Sequence, residues 1–184
     1  GQTLGVPTAL LMVAVLAGFL MFNYPRGLIF LGDAGAYSVG FILIWLAIYL
    51  MVRVPDLSGV ALLLVFFWPT ADTIFSIYRR SLRRRAISQP DRLHYHQFVM
   101  RALELVWLGR ARRHIANPLA TAVMMPFIAA PVIVGVAFWN DTTAAAVALL
   151  AFSVAFVGSY SVGIRLAPRM RRMPTPMMNV IHGE

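Results

Sequence analysis

Five long apolar stretches constrain this chain more than any other feature of its sequence. A helix needs roughly 20 mostly apolar residues to cross about 30 Å of hydrocarbon. Stretches of this length predict helices rather than strands, because a lone strand cannot satisfy its backbone hydrogen bonds in lipid. The predicted spans are about Leu4–Phe22, Ala36–Val52, Leu57–Tyr78, Pro118–Trp139 and Thr142–Leu166. The predicted fold class is therefore all-α, a polytopic integral membrane protein with about five transmembrane helices.

The composition excludes an ordinary soluble domain. Of the 184 residues, 60% are hydrophobic and only 12% are charged, which is too few to cover the surface of a soluble domain. No cysteine is present, so disulfides and thiolate metal sites are excluded within these residues. The chain opens on Gly1 without an initiating methionine. We therefore expect residues 1–184 to form a single membrane domain that is the later portion of a longer protein.

The arginines set the predicted orientation. All 16 basic residues are arginine, and alternate loops must lie on alternate sides of the membrane. One side collects 15 of them, in loop 23–35, in the long segment 79–117 and from Arg165 onward, whereas the other side holds Arg53 alone. The positive-inside rule makes the arginine-rich side cytoplasmic. We therefore predict that Gly1 lies outside and that segment 79–117 and the tail, residues 167–184, are cytoplasmic.

The Arg-rich segment 79–117 allows two interpretations. A run of arginines can bind nucleic acid, but directly after a span it is more simply a topological anchor that also attracts anionic headgroups. We therefore expect membrane lipids, and no nucleic acid, as partners. Ser88 followed by Pro90 is typical of a helix start, and apolar residues then recur at helical spacing. This pattern predicts a cytoplasmic amphipathic helix from about Pro90 to Leu108.

Three polar residues near the predicted cytoplasmic side need more than topology to explain them. Asp33 lies between Gly32 and Gly35, and such glycines expose a carboxylate to a metal or let the backbone approach a phosphate. The alternative is an ordinary turn in which Asp33 caps the next helix. Asp72 lies inside the third span, where an ionisable group usually faces a partner or a wet cavity. Asn23 can either cap or bind.

The alternative for Asp72 is an ion pair with Arg79 or Arg80, which follow it within two helical turns. That ion pair would satisfy the carboxylate without any ligand. Both interpretations remain open from the sequence.

A fourth polar feature is the run Asp91-Arg92-Leu93-His94-Tyr95-His96. Two His with an Asp and an Arg can bind a divalent metal, shuttle protons or contact phosphate. Positions 94 and 96 diverge by about 200° on a regular helix, so both serve one ligand only where the segment is not yet helical. The alternative is a membrane-surface helix with interfacial His and Tyr side chains. Taken together, these features are the parts that a magnesium–diphosphate site requires.

Two motifs at this spacing resemble a known family. The first is Asn23-x-Pro25 with Phe30-Leu31-Gly32-Asp33-x-Gly35, and the second is Pro69-x-x-Asp72-Thr73 followed by Arg79-Arg80 and Pro90-Asp91-Arg92-x-His94-x-His96. Together they resemble the polyprenyl-phosphate N-acetylhexosamine-1-phosphate transferases. That family includes the phospho-N-acetylmuramoyl-pentapeptide transferases and the N-acetylglucosamine-1-phosphate transferases that start surface polysaccharides.

The resemblance implies an enzyme of the bacterial inner membrane with cytoplasmic active-site loops. Such an enzyme moves a sugar phosphate from UDP-N-acetylhexosamine to undecaprenyl phosphate, releases UMP and uses Mg²⁺ as cofactor. It implies a metal-binding, catalytic Asp33 and catalytic His94 and His96. The matched positions with substrate-binding roles are Asn23, Asp72, Arg79, Arg80, Asp91 and Arg92. The resemblance leaves the oligomeric state open, a homodimer included.

Two departures from the family pattern bear on these expectations. Gln97 stands where the family usually has a further His, and Tyr95 between the two His resembles the polysaccharide-initiating branch. The family's Asp-Asp pair and roughly half of its spans are absent from these residues. We therefore expect this C-terminal portion alone to be inactive. The alternative function is a non-catalytic membrane homologue or scaffold that binds anionic lipid.

Overall fold

The chain is helical throughout the part that the structure describes. The computed structural model describes residues 4–82, 95–104 and 113–170. The helices in these ranges, with no strand among them, are α1 Gly5–Asn23, α2 Gly32–Arg53, α3 Gly59–Val65, α4 Phe67–Leu82, α5 Tyr95–Leu103, α6 Arg113–Ala137 and α7 Thr142–Met170. The predicted all-α class is confirmed.

Four of these helices are long and apolar enough to cross a membrane. They are α1, α2, residues Ile115–Ala137 of α6 and residues Thr142–Gly163 of α7. Helices α3 and α4 pass the same test only as a pair, and the chain bends by 78° between them. Four to five potential crossings agree with the predicted polytopic membrane protein.

Contacts with α7 indicate that the bent pair makes one crossing. Just before α3, the Ser58 N–H donates to the carbonyl oxygen of Trp139 at 2.7 Å, close to where α7 begins. Near the end of α4, the Arg79 guanidinium lies 5.6 Å from the ring centroid of Tyr160 on α7. From Thr142 to Tyr160 the helix rises about 27 Å, nearly the thickness of the hydrocarbon core. Together, α3 and α4 therefore extend over the distance of one span.

The bend falls where a proline requires it. The predicted third span, about Leu57–Tyr78, is broken at Phe66 rather than continuous. In a continuous helix, Pro69 could not donate to the carbonyl of Val65, and its ring would clash with that group. Because α4 begins afresh at Phe67, Pro69 lies in a first turn, where the missing N–H has no helical partner to lose.

The buried centre of the described helices lies where α3 meets α6 and α7. Ala61 and Leu64 of α3 and Ala145 of α7 are at most 2% exposed. Partly buried side chains surround them, namely Val60, Val134, Ala148, Leu149 and Phe152. On α6, a Cβ at Gly135 would lie only 2.7 Å from the carbonyl oxygen of Ala61. Such small residues let membrane helices approach closely.

Helices α1 and α2 form an antiparallel pair. A Cβ added to Gly5, at the start of α1, would lie 2.8 Å from the ring of Tyr49 near the end of α2. Both helices expose long apolar side chains along their length, as helices surrounded by lipid do. The pairing places Asn23, the last residue of α1, and Asp33, in the first turn of α2, at the same end of the pair.

Candidate functional site

The Asp33 carboxylate is exposed in the first turn of α2. Gly32 directly before it has φ +67°, and Gly27 earlier in the loop has φ +62°, a backbone conformation that favours glycine. The N-cap position is Leu31, and no side chain caps this helix. The alternative in which Asp33 caps the helix is therefore wrong. Its carboxylate is open to a ligand at a helix end that favours negative charge.

Asn23 ends α1 and is half-buried. Its backbone carbonyl accepts a hydrogen bond from the Gly27 N–H, and the carbonyl of Phe22 accepts one from Leu28 at 3.3 Å. These bonds fold loop 24–31 back against the end of α1. Asn23 and Asp33 therefore lie at the two ends of one short connection, and a binding role for Asn23 stays a prediction.

Asp72 joins α4 to the start of α5. Its Oδ1 accepts a hydrogen bond from the backbone N–H of Tyr95 at 3.4 Å, and the residue is half-buried. Asp72 therefore links α4 to α5 by a hydrogen bond from a side chain to the backbone.

Aromatic rings from three helices enclose the same place. The Tyr95 ring centroid lies 5.1 Å from that of Trp68 on α4 and 5.5 Å from that of Phe156 on α7. The Phe98 ring of α5 lies 5.1 Å from that of Tyr160 on α7. Edge-to-face and offset arrangements at such distances are the favourable geometries for aromatic pairs. They hold α5 against α4 and α7.

Arg79 is buried at the interface of α4 and α7. It is 7% exposed, and its guanidinium lies over the Tyr160 ring, a cation–π arrangement that gains strength when it is shielded from water. The structure thus uses Arg79 in packing, and phosphate binding by Arg79 stays a prediction. Arg80 follows it in α4, and its substrate-binding role is untested as well.

The predicted amphipathic helix, about Pro90–Leu108, is confirmed over Tyr95–Leu103, where the structure has α5. His96 is exposed in its first turn. The predicted site residues Asp91, Arg92 and His94 lie outside the described residues. Directly after His96, the side-chain oxygen of Gln97 is buried and accepts no hydrogen bond in the described structure.

A magnesium site built from protein ligands alone is not present in the described ranges. No group of three or more His, Asp or Glu side chains in residues 4–82, 95–104 and 113–170 is arranged to hold a metal. Mg²⁺ is commonly bound through one or two carboxylates with substrate phosphates completing its shell. The exposed Asp33 carboxylate fits one such ligand position.

The structure places the predicted residues in two groups. Asn23 and Asp33 lie on the connection of α1 to α2, and α2 packs mainly on α1. Asp72, Arg79 and His96 lie where α4, α5 and α7 meet. That both groups serve one site stays a prediction.

The sequence alone predicts α7 as a span and indicates no anchor on it for the second group. The hydroxyl of Tyr95 donates to Ser159 Oγ at 3.1 Å, across 64 residues of sequence. The single signal available was an aromatic residue every four positions, Phe152, Phe156 and Tyr160, which gives one helix face.

Comparisons with known proteins identify part of the chain. Residues 2–51 match the family model described as glycosyl transferase family 4. Over 101 residues the chain is 35% identical to a probable undecaprenyl-phosphate N-acetylglucosaminyl 1-phosphate transferase of Bacillus subtilis, covering 54% of this chain and 28% of that protein. Over 107 residues it is 33% identical to the undecaprenyl-phosphate alpha-N-acetylglucosaminyl 1-phosphate transferase of Salmonella typhi, covering 55% and 29%.

These matches confirm the predicted resemblance at partial coverage. The chain spans less than a third of the length of the curated relatives it matches. The enzyme of the same description from Pasteurella multocida is 35% identical over 97 residues, which are 50% of this chain and 27% of that protein. No solved structure matches the chain significantly.

Proposed function

We propose that this chain, whose residues 2–51 match glycosyl transferase family 4, is part of an enzyme that transfers N-acetylhexosamine 1-phosphate from a UDP-sugar to undecaprenyl phosphate. A phosphate oxygen of the lipid attacks the β-phosphorus of the nucleotide sugar. The bond from that phosphorus to the bridging oxygen breaks, and UMP leaves. The observation that carries this proposal is the exposed Asp33 carboxylate within the matched segment.

The acceptor and the sugar phosphate are supported by the names of the relatives. The UDP-sugar donor rests on the predicted phosphate-binding residues. Two anions must meet in this reaction, and their repulsion has to be offset by positioned cationic and hydrogen-bonding groups. His94, His96, Arg80 and Arg92 supply such groups in our proposal.

The proposed site faces the cytoplasm of a bacterial inner membrane. The residues between α4 and α6 and those after α7 hold most of the arginines, and the positive-inside rule assigns such segments to the cytoplasm. A nucleotide sugar is water-soluble and reaches a site on that side without crossing the membrane. The ends of α1 and α4 then open on the same side as the His-containing segment.

Asp33 is the residue that would hold Mg²⁺ in this chain. When bound, the ion would neutralise charge that develops on the diphosphate. The carboxylate can be reached from solvent because it lies in the first turn of α2 and caps no helix. Gly32 directly before it has no side chain, and nothing lies within 4 Å of a Cβ placed there.

The test is Mg²⁺-dependent exchange of labelled UMP into the UDP-sugar, catalysed by the full-length protein in detergent with undecaprenyl phosphate. Asp33→Asn keeps the shape of the side chain but weakens metal binding, and we expect it to lower exchange by about 100-fold. Asp56→Asn is the matched control, since Asp56 is exposed in the turn before α3, at the other end of the fold. This variant should catalyse exchange at the wild-type rate.

Full exchange by Asp33→Asn would refute the metal role of Asp33. A wild-type protein that catalyses no exchange, yet binds vesicles containing anionic lipid, would support the scaffold alternative instead. The two results are distinguishable because the first requires an active enzyme.

A further inference from the structure

Tyr95 joins three helices beside the two predicted catalytic histidines. We propose that Tyr95 is a positioning residue: with Asp72 and Ser159 it anchors α5, and thereby His96, to α4 and α7. This inference rests on the proposed function for its kinetic consequence only. The anchor itself is a statement about the fold.

The first contact of the anchor is polar and lies on the backbone. The Tyr95 N–H donates to Asp72 Oδ1 at 3.4 Å. The bond to Asp72 therefore ties the backbone of α5 at Tyr95 to α4.

The second contact lies at the tip of the side chain. The Tyr95 hydroxyl donates to Ser159 Oγ at 3.1 Å, and the Ser159 hydroxyl donates in turn to the carbonyl oxygen of Phe156 at 2.9 Å. Ser159 is thus oriented by its own helix to accept from Tyr95. A hydroxyl that both accepts and donates forms a short chain of bonds whose members strengthen each other.

The ring between these two contacts is held on its faces and edges. Trp68 approaches it edge-to-face with an interplanar angle of 79°, and Phe156 stacks on it at 28°. Tyr95 therefore contacts α4 and α7 through its backbone, its ring and its hydroxyl group. These hydrogen bonds and ring contacts to α4 and α7 assign the anchoring role to Tyr95.

The consequence for His96 follows from covalent geometry. His96 is a chain neighbour of Tyr95, and consecutive Cα atoms are about 3.8 Å apart. Fixing Tyr95 restricts the volume that the His96 imidazole can explore. Catalytic groups lose much of their effect when they are displaced by about 1 Å, so a loose Tyr95 should impair catalysis without removing a catalytic group.

Hydrogen exchange in the full-length protein tests the anchor without any substrate. Tyr95→Phe removes the hydroxyl donor and keeps the ring, and Ser159→Ala removes the acceptor. Each deletes one hydrogen bond, so amide exchange in segment 95–103 should accelerate by about three- to tenfold. The matched control is Ser161→Ala, because the Ser161 hydroxyl donates only within its own helix, to the Val157 carbonyl at 2.7 Å. Unchanged exchange in Tyr95→Phe and Ser159→Ala would overturn the anchor.

Kinetics test whether the anchor positions His96. With UDP-N-acetylglucosamine as donor, we expect kcat/KM to fall by about three- to tenfold in Tyr95→Phe and in Ser159→Ala. The double variant should fall no further than either single one, because both changes delete the same bond. The KM for undecaprenyl phosphate should stay at the wild-type value.

The outcomes separate this inference from the proposed function. If the wild-type protein transfers no sugar phosphate, the proposed function fails, and hydrogen exchange still decides the anchor. If exchange accelerates but transfer is unaffected, Tyr95 has a structural role only and positioning is refuted. If the fold-losses in kcat/KM of the two single variants multiply in the double variant, the two changes act on different interactions. That result would refute a hydrogen bond shared by Tyr95 and Ser159.

Discussion

The close approach of α3 and α6 at Gly135 yields a stability prediction that can be worked from distances. A Cβ at position 135 would lie 2.7 Å from the carbonyl oxygen of Ala61, 2.9 Å from the Cβ of Leu64 and 3.4 Å from Cγ2 of Val65. The two shortest contacts involve a backbone atom and a Cβ, which no side-chain rotation can move. Gly135→Ala therefore requires a shift of one helix against the other.

The magnitude follows from two opposing terms. Forcing an extra methyl group into a packed contact costs about 1–3 kcal/mol. Replacing Gly by Ala within a helix returns up to about 1 kcal/mol. Because the shift must displace Ala61 and Leu64, which are 2% and 0% exposed, we expect the cost to fall in the upper part of its range. The net loss should be about 1–2 kcal/mol.

Thermal unfolding of purified protein in detergent measures this loss. For a chain of this size, about 1–2 kcal/mol corresponds to a lower Tm by roughly 2–8 °C. Gly158→Ala on α7 is the matched control, since nothing lies within 4 Å of a Cβ placed there, and it should leave the Tm unchanged or raise it. Equal Tm values for the two variants would show that α3 and α6 do not approach each other this closely.

Two further predictions concern the ends of the helices. The first tests the predicted orientation with a membrane-impermeant maleimide. Asn140→Cys, in the exposed turn before α7, should react in intact cells, whereas Ser81→Cys in α4 should react only after the membrane is opened. The reverse pattern would show that the predicted orientation is inverted. Asp141 caps α7, because its Oδ1 accepts from the Ala144 N–H at 2.9 Å. Asp141→Ala should therefore cost about 0.5–2 kcal/mol in thermal unfolding, and Asp141→Ser should recover most of it; an unchanged Tm in Asp141→Ala would contradict the cap.

The spans could be predicted from sequence because hydrophobicity over about 20 residues is a local property. The first span, about Leu4–Phe22, differs from α1 by one residue at each end. The second begins four residues earlier than predicted, at Gly32 instead of Ala36. That difference matters for Asp33, because it places the carboxylate inside the first turn of α2 rather than at its cap.

The break at Phe66 was not predicted, although the residue that causes it was noted. The predicted third span, about Leu57–Tyr78, runs through Pro69, and prolines can be tolerated in membrane helices. Helix α6 shows such tolerance, because Pro118, Pro126 and Pro131 all lie inside it. Whether a proline ends a helix depends on the neighbouring helices that re-satisfy the backbone, and one sequence does not contain that information.

The partners of Tyr95 could not be predicted for a related reason. Tyr95 and Ser159 are 64 residues apart, and a hydroxyl–hydroxyl contact leaves no periodic pattern in the sequence. The motif residues stand out because they are polar residues beside predicted spans, in a pattern that resembles a family. A residue outside the motifs that holds them in place becomes visible only when the helices are packed.

The bend at Phe66 and the anchor at Tyr95 are parts of one arrangement. Trp68 lies two residues after the break, and its ring meets both Tyr95 on α5 and Phe156 on α7, at 5.1 and 5.5 Å between centroids. Had α3 continued straight into α4, the 78° change of direction would be lost and Trp68 could not occupy this position. The bend beside Pro69 therefore places Trp68 in the surface on which α5 rests.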